Sequence, residues 1–419
     1  MFSIKTGIRF NIIHLYVIIS KNIHFVNRGF AIAGMHPGCL FFLTLFFLYY
    51  KIGKIFLEKK LEIKKTPLYD YHIKLNAVMV EFAGFYMPVH YGSILEETKH
   101  TRQKVSIFDI FHMGEFFIKE NPEKSSLNNA ITVPVIEMKT GTCKYGFLLN
   151  ENGTTIDDLI VYRISDDEWM IVVNASNEKI DEETLKKRLS NSAHFENISN
   201  KTMKIDVQGP LSREIVKKIA GEKINNLKYF TFDRFDFLGG NYIISRTGYT
   251  GELGYEIYID AEKSEKLWEQ LLSHNDVKPA GLGARDILRL EMGYPLYGDE
   301  LTCETTPLDA GFQKFLDFEK DFVGKKALLN YEQKYLLCGF IVNGRKTMRH
   351  SSKVFINEKE IGYVTSGVFS PHLNCAIGMA YVLKEYAFEN TEIFLGKEKP
   401  EISGKIIKPP FLKNTSLKS

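Results

Sequence analysis

Apolar and polar positions alternate along this chain in short blocks, and the most informative block opens in a turn. Asn150 to Ile164, NENGTTIDDLIVYRI, passes from Asn and Gly residues suited to a tight reversal into a β-branched apolar run, so Leu159 to Tyr162 reads as a strand. Strand side chains alternate between faces, which puts Asp157, Leu159, Val161 and Arg163 on one side and Asp158, Ile160 and Tyr162 on the other. Only one of the two aspartates can face a given pocket. Taken alone, the stretch is a polar turn whose aspartates satisfy nearby backbone N–H groups.

The same pattern predicts the neighbouring elements. Thr66 caps and Pro67 opens a helix to Leu75, and Ser93 caps a helix to Lys104 with Glu96 closing a capping box. Gly114 to Ile118 reads as a strand, with His112 and Met113 before it as a buried histidine and a core methionine. Trp169 to Val173 is a strand ending at Asn174, whose amide either caps the following turn or faces a ligand. Lys179 to Leu189 is a charged surface helix, Lys204 to Val207 a strand, and a helix then runs to about Ala220. Gly248, Gly251 and Gly254 separate two strands and fit hairpin turns better than a phosphate loop, because neither GxGxxG nor GxxxxGK[ST] is present. On the second of these strands Glu256 and Tyr258 face away from Tyr255, Ile257 and Ile259. A helix through Met292 sets Arg285 and Arg289 four apart, for surface pairing with Asp286 or Glu291 or for a ligand. From about Tyr335 short alternating strands indicate an all-β module, a small barrel or jelly roll. This irregular mixture predicts an α+β fold.

Composition changes the picture mainly at the N-terminus. A length of 419 residues implies two or three domains, and 44% apolar with 25% charged residues is ordinary globular composition. Five scattered cysteines without a CxxC pair, and histidines without HxxxH spacing, argue against a disulfide framework or a metal site. Residues 1–57 hold six basic and no acidic residues, leaving the remainder at −3 against a total of +3, with no basic stripe for nucleic acid. Residues 1–63 therefore read as a basic, apolar extension: a transit-like segment, an anchor, or an upstream stretch absent from the mature protein. Removal is favoured over anchoring, because the apolar runs fall short of the roughly 20 residues a spanning helix needs. The globular part divides into 64–330 and 335–412.

Several ordered segments resemble the aminomethyltransferase (T-protein) family of the glycine cleavage system: TPLYDYH, EFAGFYMPVHYGSILEE, FDIFHMGEF, NENGTTIDDLIVYR, VVNASN, QGP, SRTGYTGELGYEIY, KPAGLGARDILRLEMGYPLYGDEL, TPLDAG, FVGKKAL, VTSGVFSP and the closing PPF. The resemblance covers Thr66 to about Phe411. It implies a three-domain cloverleaf of two interleaved α+β domains and a C-terminal β module around a central folate cavity. It also implies transfer of a one-carbon unit from the aminomethyl-dihydrolipoyl arm of the H-protein to tetrahydrofolate, with release of ammonia and no metal. By position, Asp158 matches the catalytic carboxylate, Glu256 the acceptor for the pterin N–H edge, and Arg285 a partner for the folate tail. Tyr162, Met113, Tyr145, Asn174 and Tyr249 match cavity residues. An ionised Asp, with a reference pKa of roughly 3.9, is a weak base at neutral pH, so orienting folate and stabilising positive charge is preferred for Asp158 over proton transfer. The resemblance places the mature protein in the mitochondrial matrix, or in the cytoplasm of a bacterium, away from membranes. Three departures stand out: Thr154 where the family has a second Gly, Phe111 where it has a small Ser, and Leu412-Lys413 where it has Tyr and a basic residue. The alternative is a folate-binding iron-sulfur assembly or tRNA-modification protein, whose KGCYxGQE motif is not matched by Thr142 to Gly146.

Overall fold

The computed structural model describes residues 63–419; the predicted extension, and the choice between its three readings, lies outside the described residues save Ile63. Among the described residues the strands form four sheets. A five-stranded antiparallel sheet runs in the order Cys143–Leu149, Thr155–Arg163, Glu168–Val173, Gly114–Lys119, His194–Asn197. A six-stranded sheet runs in the order Phe232–Phe237, Gly240–Ser245, Gly254–Asp260, Thr202–Gln208, Val105–Asp109, Val277–Pro279, with only the last pairing parallel. Val105–Asp109 joins this sheet before the chain builds the five-stranded one, and Thr202–Gln208 returns to pair with it. The two sheets are thus interleaved in sequence. The small third sheet pairs Lys64–Lys65, Phe85–His90 and Val78–Phe82.

The fold is α+β, and its C-terminal part closes as a six-stranded barrel rather than opening into a jelly roll. Tyr335–Val342 pairs with both Cys375–Leu383 and Ile402–Ile407, which removes the free edges. Glu392–Gly396 is a barrel strand that the apolar pattern did not single out, since its apolar run is only Ile393-Phe394-Leu395.

Element boundaries shift where the capping chemistry differs from expectation. The first helix is Tyr69–Lys74 with Leu68 at its cap position, so Thr66 and Pro67 precede it. Ser93 does cap the helix Ile94–Gln103, accepting from Glu96 N at 3.3 Å, but the Glu96 carboxylate turns to Lys99 at 2.9 Å instead of completing the box. Phe111 packs edge-on against Phe85 with centroids 5.9 Å apart in the core under the six-stranded sheet, so its added volume does not enter the cavity described below.

In the focal turn, Asn150 N donates to Thr154 O at 2.9 Å, and the positive φ of 84° falls on Gly153. Thr154 keeps negative φ, and its hydroxyl donates to Asn152 Oδ1 at 2.9 Å. The missing second glycine therefore costs the turn no backbone strain. A Cβ on Gly153 would meet Leu328 Cδ2 at 2.9 Å in addition to the unfavourable φ. Gly153→Ala is expected to destabilise the protein by about 1–2 kcal/mol, and Thr154→Gly by less, in denaturant unfolding of both variants.

Candidate functional site

The strand Thr155–Arg163 divides its faces as its alternation predicts. Leu159 and Val161 enter the core of the five-stranded sheet, while Ile160 and Tyr162 join a second cluster that meets Tyr258 and Ile243 of the six-stranded sheet. Asp158, on this second face, lines a cavity of about 2180 Å³ that Met113, Tyr145, Asn174, Tyr249, Glu256 and Arg285 also line. Seven of the eight residues singled out above therefore share one cavity. Tyr162 is the exception and a correction: it is fully buried beneath the cavity wall, because a large side chain two positions beyond Ile160 falls inside the inter-sheet layer.

Asp158 is held at both oxygens. Tyr145 OH donates to Oδ2 at 3.0 Å, from a residue two positions before the Phe147 that stands opposite Asp158, and Asn174 Nδ2 donates to Oδ1 at 2.9 Å. The same Asn174 amide lies 2.9 Å from Asp157 Oδ1, and Asn174 N donates to Asp157 Oδ2 at 2.9 Å. Asn177 Nδ2 adds a further donor to Asp157 at 2.9 Å. The amide of Asn174 thus orients two adjacent carboxylates from the end of the next strand, which neither sequence alternative for it had included. Asp157, fully buried, serves structure, although its backbone donor comes from this neighbouring strand and not from the turn.

Electrostatics set Asp158 apart. Burial first, and then the neighbouring Asp157, push its carboxyl up to about 7. Behind it, burial and Asp157 push the Asp181 carboxyl up to about 11, so Asp181 keeps its proton and presents it to Asp157. Asp157 itself is raised by burial against the hydrogen bonds it accepts.

The second pole is Glu256, on Gly254–Asp260. Its Oε2 accepts from Thr247 Oγ1, from Tyr162 OH at 3.3 Å and from Tyr258 OH at 3.5 Å, and its Oε1 has Lys204 Nζ at 3.9 Å. Tyr162 therefore supports Glu256 from behind. Arg285 pairs with Asp206 Oδ2 at 2.7 Å, not with Asp286 or Glu291, and its guanidinium lies 4.9 Å from the Tyr249 ring centroid. Tyr249 spends its own hydroxyl on Pro295 O. Arg289 does not sit on the surface: it is buried and bridges Asp286 and Glu300, at 2.8 and 2.7 Å, reaching Ser366 of the barrel at 2.9 Å. Two of the three glycines between the strands flank the Gln208 side chain, since a Cβ on Gly248 or Gly254 would fall 2.2 Å from it, whereas one on Gly251 would meet Met292.

Lys204, Asp206 and His112 are site residues that the strand-and-turn reading passed over. The polar alternation in Lys204-Ile205-Asp206-Val207-Gln208 was the available signal, because three polar positions on one face of an interior strand need a polar cavity or mutual pairing. His112 lines the cavity with Nδ1 unpartnered, and burial followed by Arg285 pushes its imidazole down to about 3, so it is neutral. Among the described residues no group of three or more His, Cys, Asp or Glu side chains is arranged to hold a metal ion.

The sequence matches the GCVT N-terminal domain over residues 68–320 and the glycine cleavage T-protein C-terminal barrel domain over 336–413. This class of protein combines an α+β body with a closed barrel, as found here. The chain belongs to the glycine cleavage T-protein, or aminomethyltransferase, family. It is 43% identical over 360 residues to an aminomethyltransferase of Thermosipho melanesiensis, covering 84% of this chain and 98% of the relative. It is 39% identical over 357 residues to one of Halothermothrix orenii, covering 84% and 100%. The crystal structure of glycine cleavage system aminomethyltransferase T from Bartonella henselae superposes with a TM-score of 0.80 at 32% identity, covering 84% of this chain and 99% of that one.

A carboxyl raised above its unfolded value binds its proton more tightly in the folded state, so it favours folding at low pH and loses that contribution as pH rises from about 4 to about 7. Asp158→Asn removes this titration. Its melting temperature relative to the unmodified protein is expected to be higher at pH 8 than at pH 4.5, as read by thermal unfolding at both values.

Proposed function

We propose that the protein transfers the one-carbon unit of aminomethyl-dihydrolipoyl H-protein to tetrahydrofolate, releasing ammonia and forming 5,10-methylenetetrahydrofolate. The observation that carries this reading is a single cavity lined both by Asp158, oriented and raised to about 7, and by Glu256, with Oε1 open to a ligand. Family membership supports it and gives no support to the iron-sulfur assembly alternative. Tetrahydrofolate, when bound, supplies two nucleophilic amines and a pterin edge carrying adjacent N–H donors.

Glu256 accepts that edge through Oε1, its other oxygen being held by three hydroxyls. Arg285 uses Nη1 on Asp206 and keeps its remaining N–H groups for the folate amide or carboxylate tail. Met113, Tyr145, Asn174 and Tyr249 shape the wall between these contacts. Closing the methylene bridge removes one proton from each folate amine; one leaves with ammonia and the other ends on the lipoyl thiol. A carboxyl at about 7 is half-ionised near neutrality, so Asp158 accepts a proton from a folate amine and returns it to the leaving amine. Its environment thus moves proton transfer ahead of charge stabilisation, reversing the preference drawn from the reference pKa. Tyr145 and Asn174 hold the carboxylate during this exchange.

The two domain matches support the division at 64–330 and 335–412. The relatives are bacterial, which favours the cytoplasm over the mitochondrial matrix.

Purified protein supplied with aminomethyl-loaded H-protein is expected to release ammonia much faster with tetrahydrofolate than without it; equal rates would defeat the proposal. Asp158→Asn should lower turnover by about 10²–10⁴-fold while leaving the tetrahydrofolate dissociation constant within a few-fold. In the unmodified protein kcat/KM should rise with pH as Asp158 ionises and level off above about 7, a dependence visible in initial rates at low tetrahydrofolate from pH 5.5 to 8.5.

A further inference from the structure

We propose that Lys204 is a second recognition residue of the pterin, donating a hydrogen bond to the 4-oxo oxygen beside the N–H groups that Glu256 accepts; this rests on the folate reading of the cavity. Lys204 lies on Thr202–Gln208, where Met203, Ile205 and Val207 enter the core and Lys204, Asp206 and Gln208 occupy the opposite face. Its side chain is 1% exposed, yet it lines the cavity.

A buried ammonium is costly unless its donors are used. Here one partner is the soft Met113 sulfur at 3.5 Å, the Tyr258 ring centroid lies 5.4 Å away, and Glu256 Oε1 at 3.9 Å is beyond hydrogen-bond reach. Glu115, also fully buried, provides no hydrogen bond: neither of its carboxyl oxygens has a partner, and burial holds it strongly toward the protonated form. Lys204 therefore has N–H capacity that the described residues leave unused.

The ligand edge explains that capacity. An amino-pyrimidinone presents, in order, an exocyclic N–H, the ring N3–H and the 4-oxo oxygen: two donors followed by an acceptor. A carboxylate alone satisfies the donors and leaves the oxygen desolvated, whereas a carboxylate flanked by an ammonium matches all three. Lys204 stands on the open Oε1 side of Glu256, away from the three hydroxyls at Oε2. Arg285, another cation lining the cavity, has Nη1 committed to Asp206.

The test is the dissociation constant of tetrahydrofolate and of its 4-amino analogue, at pH 8, on the full-length protein, Lys204→Met and Glu256→Gln. The analogue replaces the 4-oxo acceptor by a donor that faces the ammonium and also loses the N3–H that Glu256 accepts, so Lys204 is isolated by the change in ligand preference between the unmodified protein and Lys204→Met. The unmodified protein is expected to prefer the 4-oxo ligand by roughly 10- to 100-fold, and Lys204→Met to weaken tetrahydrofolate by a similar factor while changing the analogue by less than about threefold. Equal weakening of both ligands, or none, overturns the assignment, since a mere counter-ion to Glu256 would act on both alike. Should Lys204→Met fail to fold, Lys204→Gln takes its place, because its amide turns to accept from the 4-amino group: an unchanged 4-oxo preference in that variant overturns the proposal. If Glu256→Gln leaves tetrahydrofolate binding intact, the folate reading fails; if it weakens binding while Lys204→Met keeps the 4-oxo preference, only the role of Lys204 fails.

Discussion

The site depends on keeping carboxyl groups out of water at close quarters. Asp157 and Asp181 are fully buried and Asp158 is half-buried at the cavity wall, and three ionised carboxylates cannot share such a space. The conflict is settled by unequal partners. Asp157 takes three donors from Asn174 and Asn177, Asp181 retains its proton, and Asp158 is left between these extremes. The stability sacrificed in crowding Asp158 and the raised proton affinity of its carboxyl are one effect, viewed once from the folding equilibrium and once from its titration.

Opposite this cluster the same constraint is met by pairing. Asp206 and Glu256 stand directly opposite each other on neighbouring strands, an arrangement of like charges that would push them apart. Arg285 neutralises the first, and Lys204 with three hydroxyls steadies the second. Arg289, one helical turn beyond Arg285, carries the same logic outward by tying the helix Leu282–Glu291 to Glu300 and to the barrel. Charge compensation therefore links the cavity to the C-terminal module through consecutive turns of one helix.

Much of the fold was legible because alternation is a local property. The faces of Asp157 and Asp158 followed from a period of two, and they are divided accordingly. The positions of Asp158 and Glu256 in one cavity came from resemblance, because nothing in a strand's own pattern says which strand of another sheet it will face. Tyr162 illustrates the limit: parity of position assigns a face correctly but not depth, and depth is fixed by the sheet packed above it. Thr154 and Phe111 show the converse. Each looked disruptive beside the family pattern, yet a one-position placement of the positive φ and a core facing Phe85 absorb them. Partners such as Asp206 for Arg285 and Glu300 for Arg289 are separated by 79 and 11 positions, and they emerge only from the folded arrangement.

The interleaving of the two sheets also orders events in time. Val105–Asp109 leaves the ribosome before any of the five-stranded sheet, yet its antiparallel partner Thr202–Gln208 appears only after that sheet is complete. The intervening segment can pair within itself, whereas the strand pair that frames the site must close a loop of nearly a hundred residues, which makes it the slower contact to form. Asp158 thus belongs to the part that assembles locally, and Glu256 to the part that waits. The pocket comes into being only when these two folding units meet.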